Sequence, residues 1–131
     1  MSHFSTIKTQ IRNKPQLIEA LELLQYNIKE DQELIIGNPY HAKNHPVVEA
    51  DICIKQDIGF RLNPRTGTYE LVADLETWSE SIPPKRLVDK VTQQYARMTI
   101  HNQVKEMGYE VQEEWEMDDN SIEITVNRWV Q

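Results

Sequence analysis

The chain has 131 residues, with 14 Lys and Arg against 21 Asp and Glu, so its net charge is −7. Hydrophobic residues at 39% and charged ones at 27% exclude a disordered composition and provide for a core without a disulfide or metal. The acid excess argues against a generic phosphate-backbone binder, and a single cysteine, Cys53, excludes an internal disulfide and an all-cysteine zinc site.

Ile7 and Ile11, set among Thr, Ser and Lys, predict a short strand within residues 3–11. Asn13-Lys14-Pro15 is a helix-start signal, and Leu17, Leu21 and Leu24 then recur at helical spacing, so a three-turn amphipathic helix is expected to end near Tyr26–Asn27. After the charged run KEDQE, Leu34-Ile35-Ile36 predicts a short strand, and residues 37–46 (GNPYHAKNHP) predict an exposed loop. From Val48 the alternation places Val48, Ala50, Ile52 and Ile54 on one strand face, with Glu49, Asp51, Cys53 and Lys55 on the other. Ile58, Phe60 and Leu62 form a second strand of this meander, and Tyr69, Leu71, Ala73 and Leu75 a third. Asn63-Pro64-Arg65-Thr66-Gly67 makes the turn between those two.

SESIPP breaks the sheet and leads into a long helix over about 84–107. Its expected apolar face is Val88, Ala96, Ile100 and Val104, widened by Val91, Tyr95 and Met98, and Gly108 ends it. Tyr109, Val111, Trp115 and Met117 then alternate as a strand with Trp115 in the core. Asp118-Asp119-Asn120 turns the chain, and Ile122, Ile124 and Val126 form the last strand. The sum is a single α+β domain over residues 1–131. It has a largely antiparallel sheet of about five to seven strands and two helices packed on one face.

Candidate sites are few. His41 and His45 have a helical metal-ligand spacing, but Pro46 follows and a loop is expected, so two surface histidines fit better. Cys53 sits in no nucleophile motif and is read as a partly exposed, inert thiol. The signatures GxxxxGK[ST], GxGxxG, GxSxG and HExxH do not occur. No familiar enzyme signature is present, and no cofactor or metal site is expected.

Charge is distributed unevenly. Glu106, Glu110, Glu113, Glu114, Glu116, Asp118 and Asp119 crowd one segment without a base, with Glu110, Glu114 and Glu116 expected on the polar face of one strand. Arg61 and Arg65 flank the hairpin turn, and Lys85, Arg86 and Lys90 open the long helix. Trp78 and Trp129 fall outside the main core pattern, as tryptophans at interfaces do.

The segments MSHFSTIKTQI, DIGFRLN, TGTYELVADLETW, VTQQYARMTI and GYEV…SIEITVNRWV together resemble the hypothetical chloroplast open reading frame thirty-five family of cyanobacteria and algal plastid genomes. The resemblance spans nearly the whole chain and implies a soluble protein of the cyanobacterial cytoplasm or the plastid stroma. The polar opening MSHFSTIKTQIR and the absence of a membrane-length apolar run agree with that setting. The resemblance carries no catalytic residues with it.

Two functions follow as expectations. The first is a non-enzymatic accessory or assembly factor that binds a protein partner through Trp78, Trp129, Arg128, Glu114 and Glu116. The alternative is a small-ligand or catalytic site between sheet and helices, built from Arg61, Asp74, Gln94 and Tyr95. Direct nucleic-acid binding is disfavoured by charge, and a homo-oligomer stays open.

Overall fold

In the computed structural model, residues 4–35, 47–119 and 121–128 are described. His41, His45, the 37–46 segment and Trp129 lie outside them. The chain runs β1 (Phe4–Lys8), α1 (Lys14–Leu23), β2 (Lys29–Ile35), β3 (Val47–Lys55), β4 (Ile58–Asn63), β5 (Thr68–Asp74), α2 (Pro84–Glu106), β6 (Tyr109–Glu116) and β7 (Ile122–Arg128). The first five strands form one antiparallel sheet in the order β1-β5-β4-β3-β2, and β6 and β7 pair separately. The fold is thus α+β with mostly antiparallel strands, as the patterning predicts.

Local chemistry accounts for the helix ends and the central turn. The Asn13 side chain accepts a hydrogen bond from the Gln16 N–H at 3.0 Å, and proline occupies the first turn of α1, where its missing N–H costs nothing. The helix stops at Leu23, earlier than the leucine spacing predicts, because Gln25 adopts a left-handed backbone with φ 71°. Gly108 takes φ 81° just past α2 and ends it as expected. In the β4–β5 turn Gly67, at φ 71°, donates to the Asn63 carbonyl at 2.8 Å.

The core lies between the sheet and the two helices. Leu17 and Leu21 of α1 and Leu87, Val88 and Val91 of α2 pack on Ile52, Ile58, Phe60, Leu71 and Ala73. Each such Leu, Ile, Val or Phe side chain contributes about 1.5–3 kcal/mol on burial. The buried stripe of α2 is Leu87, Val88, Val91 and Met98, while Ala96 and Ile100 are exposed. The second half of the face predicted from Val88, Ala96, Ile100 and Val104 therefore turns away from the core, towards β6 and β7.

Two expectations about strands are corrected. β2 begins at Lys29, so the charged run KEDQE is itself strand. It can be, because β2 is the edge of the sheet and the side chains of residues 29–33 stay in solvent. Cys53 is buried, not partly exposed on a polar face. The β3–β4 ladder ends at Ile52–Phe60, and beyond it the Asp51 carboxylate accepts the Leu62 N–H at 2.7 Å. From there the β2–β3 ribbon bends over the sheet's second face, where Leu34, Ala50, Cys53 and Val72 form their own apolar cluster. That bend breaks the period-two pattern: Ile52 and Ile54 join the helix-side core, and Ala50 joins Cys53.

Candidate protein-binding surface on the acidic hairpin

β6 and β7 are joined by a turn in which the Met117 N–H bonds the Ser121 carbonyl at 2.8 Å. The Asp119 carboxylate accepts the Ser121 N–H at 3.1 Å and its hydroxyl at 2.5 Å. These bonds hold the Asp119 carboxyl below the usual carboxylate range.

The register of the hairpin shifts between Val111 and Glu113. One extra residue on β6 reverses which side chains face inward from that point. Before the shift Val111 opposes Val126, and after it Glu114 opposes Ile124 and Glu116 opposes Ile122, all on the side towards α2. Glu113 and Trp115 consequently point outward, opposite Thr125 and Glu123. The expectation that Trp115 belongs to the core is overturned: Trp115 is 41% exposed and Met117 40%.

Glu114 is the side chain that ties the hairpin to α2. Its carboxylate accepts a hydrogen bond from the Arg97 guanidinium and lies 2.9 Å from the His101 Nε2. Arg97 is one turn of α2 before His101, so both reach the same carboxylate. Burial alone would push the Glu114 carboxyl up, but the bonds from His101 and Arg97 outweigh it and leave the group below its ordinary value. Glu114 is therefore a structural anchor and not one of a row of solvated acids. Around it the acids Glu106, Glu110, Glu113, Glu116, Asp118, Asp119 and Glu123 are exposed, and of these Glu113 and Glu123 share the outward side with Trp115, giving it an acidic surround.

The other expected site residues are dispersed. Trp78 donates from Nε1 to the Ile82 carbonyl at 2.8 Å and packs on the core, so it is a lid beneath the SESIPP turn. Glu116 is exposed and shares a small cavity with Arg86 and Lys90, and Arg128 is exposed at the end of β7 opposite Tyr109. Arg61, Asp74, Gln94 and Tyr95 are not brought together. Tyr95 braces the helices, its hydroxyl accepting the Asn13 N–H at 3.1 Å and its carbonyl the Gln16 side chain. Gln94, on the same helix, accepts from Arg97 at 3.4 Å. Asp74 shares the strand face of Val72, away from both helices. It is fully buried, with one carboxylate oxygen bonded to the Glu76 N–H and the other without a hydrogen-bond partner among the described residues. Arg61 is paired with Glu70 in the β4–β5 register, four residues from Asp74 along β5, or about 13 Å.

Among the described residues no group of three or more His, Cys, Asp or Glu is placed to hold a metal ion, and no helix is long and apolar enough to cross a membrane. Sequence reasoning missed Arg97 and His101. Their i, i+4 spacing on a helix was the available signal, but it has no meaning until a carboxylate is placed opposite.

The profile of a family described as "Protein of unknown function (DUF1257)" matches residues 20–125. The chain belongs to this DUF1257 family. It is similar to the "Uncharacterized protein ycf35" of Cyanophora paradoxa, with 35% identity over 134 residues, and to that of Pyropia yezoensis, with 33% over 135 residues. Each comparison covers 98% of both chains. The protein of that name in Guillardia theta is 30% identical over 133 residues, again with 98% of both covered. No solved structure matches. The DUF1257 span includes Arg97, His101 and Glu114 together with nearly all of the hairpin, so the anchored hairpin falls within the family region.

Proposed function

We propose that this protein is a non-enzymatic accessory or assembly factor that binds a protein partner through the solvent face of the β6–β7 hairpin. The setting proposed with it is the cyanobacterial cytoplasm or plastid stroma. The observation that carries the reading is the exposure of Trp115 and Met117 at the centre of an acidic surface. A large exposed ring inside a charged rim is the composition of a binding hot spot, with the rim steering encounter. The anchoring of Glu114 by Arg97 and His101 supports it, because a pre-positioned hairpin loses little freedom on binding.

The test is affinity capture from the native cell with stoichiometry read by mass spectrometry, comparing the parent protein, Trp115→Ala, and the charge reversal Glu113→Lys with Glu123→Lys, the two acids that share the outward side with Trp115. A partner held by the parent and lost by both variants supports the reading. A stoichiometric partner retained by both refutes it.

A further inference from the structure

In a two-stranded sheet each strand is paired on one side only. β7, Ile122–Arg128, pairs with β6 and has no second strand partner among the described residues. Seven residues is ample for strand pairing, and β7 has no lysine or proline to blunt its edge, its two charges, Glu123 and Arg128, standing near its ends and leaving ITVN uncharged. The inward side chains of β7 are also incompletely covered: Val126 is 36% exposed and, facing the hairpin from α2, Ile100 is 38% exposed.

A groove of about 450 Å³ lies between α2 and the start of β7, lined by Asp89, Ala96, Ile100, Asp119 and Ile122 among others. Residues 89–100 of α2 span about 16 Å at 1.5 Å per residue, which is the length of about five residues of extended chain. A third strand laid on the free edge of β7 would bring alternate side chains over this groove. Its other side chains would point the way Trp115 and Glu123 do.

Charge decides what that strand is. Arg97 lines the groove, but its guanidinium is committed to Glu114, which leaves Asp89 and Asp119 at the groove and Glu113 and Glu123 on the outer face. A second copy of this chain would bring a further acidic hairpin beside the first, with Glu113, Asp118, Asp119 and Glu123 against Arg128 as the single base of β7; an excess of like charge brought together in this way repels. A segment alternating apolar with Lys or Arg residues meets the apolar groove on one side and carboxylates on the other. We propose that the free edge of β7 takes up an extended, Lys- or Arg-rich segment of a partner protein as a third strand, its apolar side chains entering the groove over α2. This rests on the protein-binding reading of the hairpin and specifies the partner's chemistry.

The probe is a nonapeptide alternating lysine and valine, in three forms: unmodified, and N-methylated at alternate residues in each of the two registers. Binding is followed by fluorescence anisotropy and by amide hydrogen exchange on the full chain. The unmodified peptide is expected to slow exchange in β7 and leave β1–β5 unchanged, with affinity falling as salt is raised. One N-methylated register is expected to lose about tenfold or more in affinity, because it blocks the pairing edge. Ala96→Trp, an exposed substitution that fills the groove, is expected to lose a similar factor with an unchanged melting temperature. Equal binding by both N-methylated peptides, or no protection of β7, overturns the strand proposal. If that binding is nevertheless abolished by Trp115→Ala, the hairpin face stands as the contact and the edge does not. Protection of β7 that rises with protein concentration in the absence of peptide assigns the edge to a second copy and also overturns it.

Discussion

Gly59→Ala is expected to destabilise the protein by about 2 kcal/mol, and the number follows from three distances. A Cβ at Gly59 would lie 2.7 Å from the Ile52 carbonyl oxygen, 2.9 Å from the Ala50 Cβ and 3.3 Å from the Leu34 Cδ1. Comfortable carbon–carbon contacts are about 3.5–4.0 Å. Leu34 can give by rotating, but a backbone carbonyl and an alanine Cβ move only if β3 moves with them. Overpacking of this kind costs about 1–3 kcal/mol, and contact with backbone belongs at the upper end. The alanine's restriction of the unfolded chain returns about 0.4–1 kcal/mol, which leaves about 2. For a chain of this size that corresponds to a fall of roughly 6–10 °C in melting temperature. Urea unfolding followed by tryptophan fluorescence, together with calorimetry, measures it. Adding Ala50→Gly to the variant should recover part of the loss by removing one obstruction, while the Ile52 carbonyl keeps the rest. A Gly59→Ala protein melting within about 1 °C of the parent would refute the close passage of the β2–β3 ribbon over the second face of the sheet.

Glu114→Gln is expected to cost about 1 kcal/mol, discounted for the 39% exposure of the Arg97 and His101 side chains. Hydrogen exchange should show the loss first in β6 and β7. Because the folded carboxyl lies below its ordinary value, its contribution is present above about pH 4.3, the unfolded value, and disappears as the pH falls through the folded one. Protection of the hairpin should therefore decline on acidification in the parent, and this component should be missing from the glutamine variant. Trp115→Ala should change stability by no more than about 0.5 kcal/mol, as exposed positions do. Trp78→Ala, by contrast, removes a core lid and should cost about 3 kcal/mol in the same denaturation assay. The Cys53 thiol, pushed up by burial despite its 2.7 Å contact with the Lys55 carbonyl, should react with a disulfide reagent only as fast as the sheet opens. Rapid labelling of the native protein would contradict its place beneath Leu34 and Ala50.

Much of this architecture can be read along the chain, because its causes are local. Asn13 and Pro15 start α1, Gly67 closes the β4–β5 turn and Gly108 ends α2 through the conformations that those residues adopt most easily. The β4 and β5 strands follow from alternation, which the structure keeps at Ile58, Phe60, Tyr69, Leu71 and Ala73, while Leu62 and Leu75, expected to continue it, are exposed at the strand ends. What only the tertiary structure decided lies where that alternation is interrupted. One extra residue between Val111 and Glu113 carries Trp115 to the surface and Glu114 to Arg97 and His101. The departure of β3 from β4 at Ile52 buries Cys53 under Leu34 and Ala50. Neither event has a signature in composition or periodicity. A period of two assumes an unbroken register, and a bulge or bend is selected by contacts with distant segments: α2 for the hairpin, and the second face of the sheet for the ribbon.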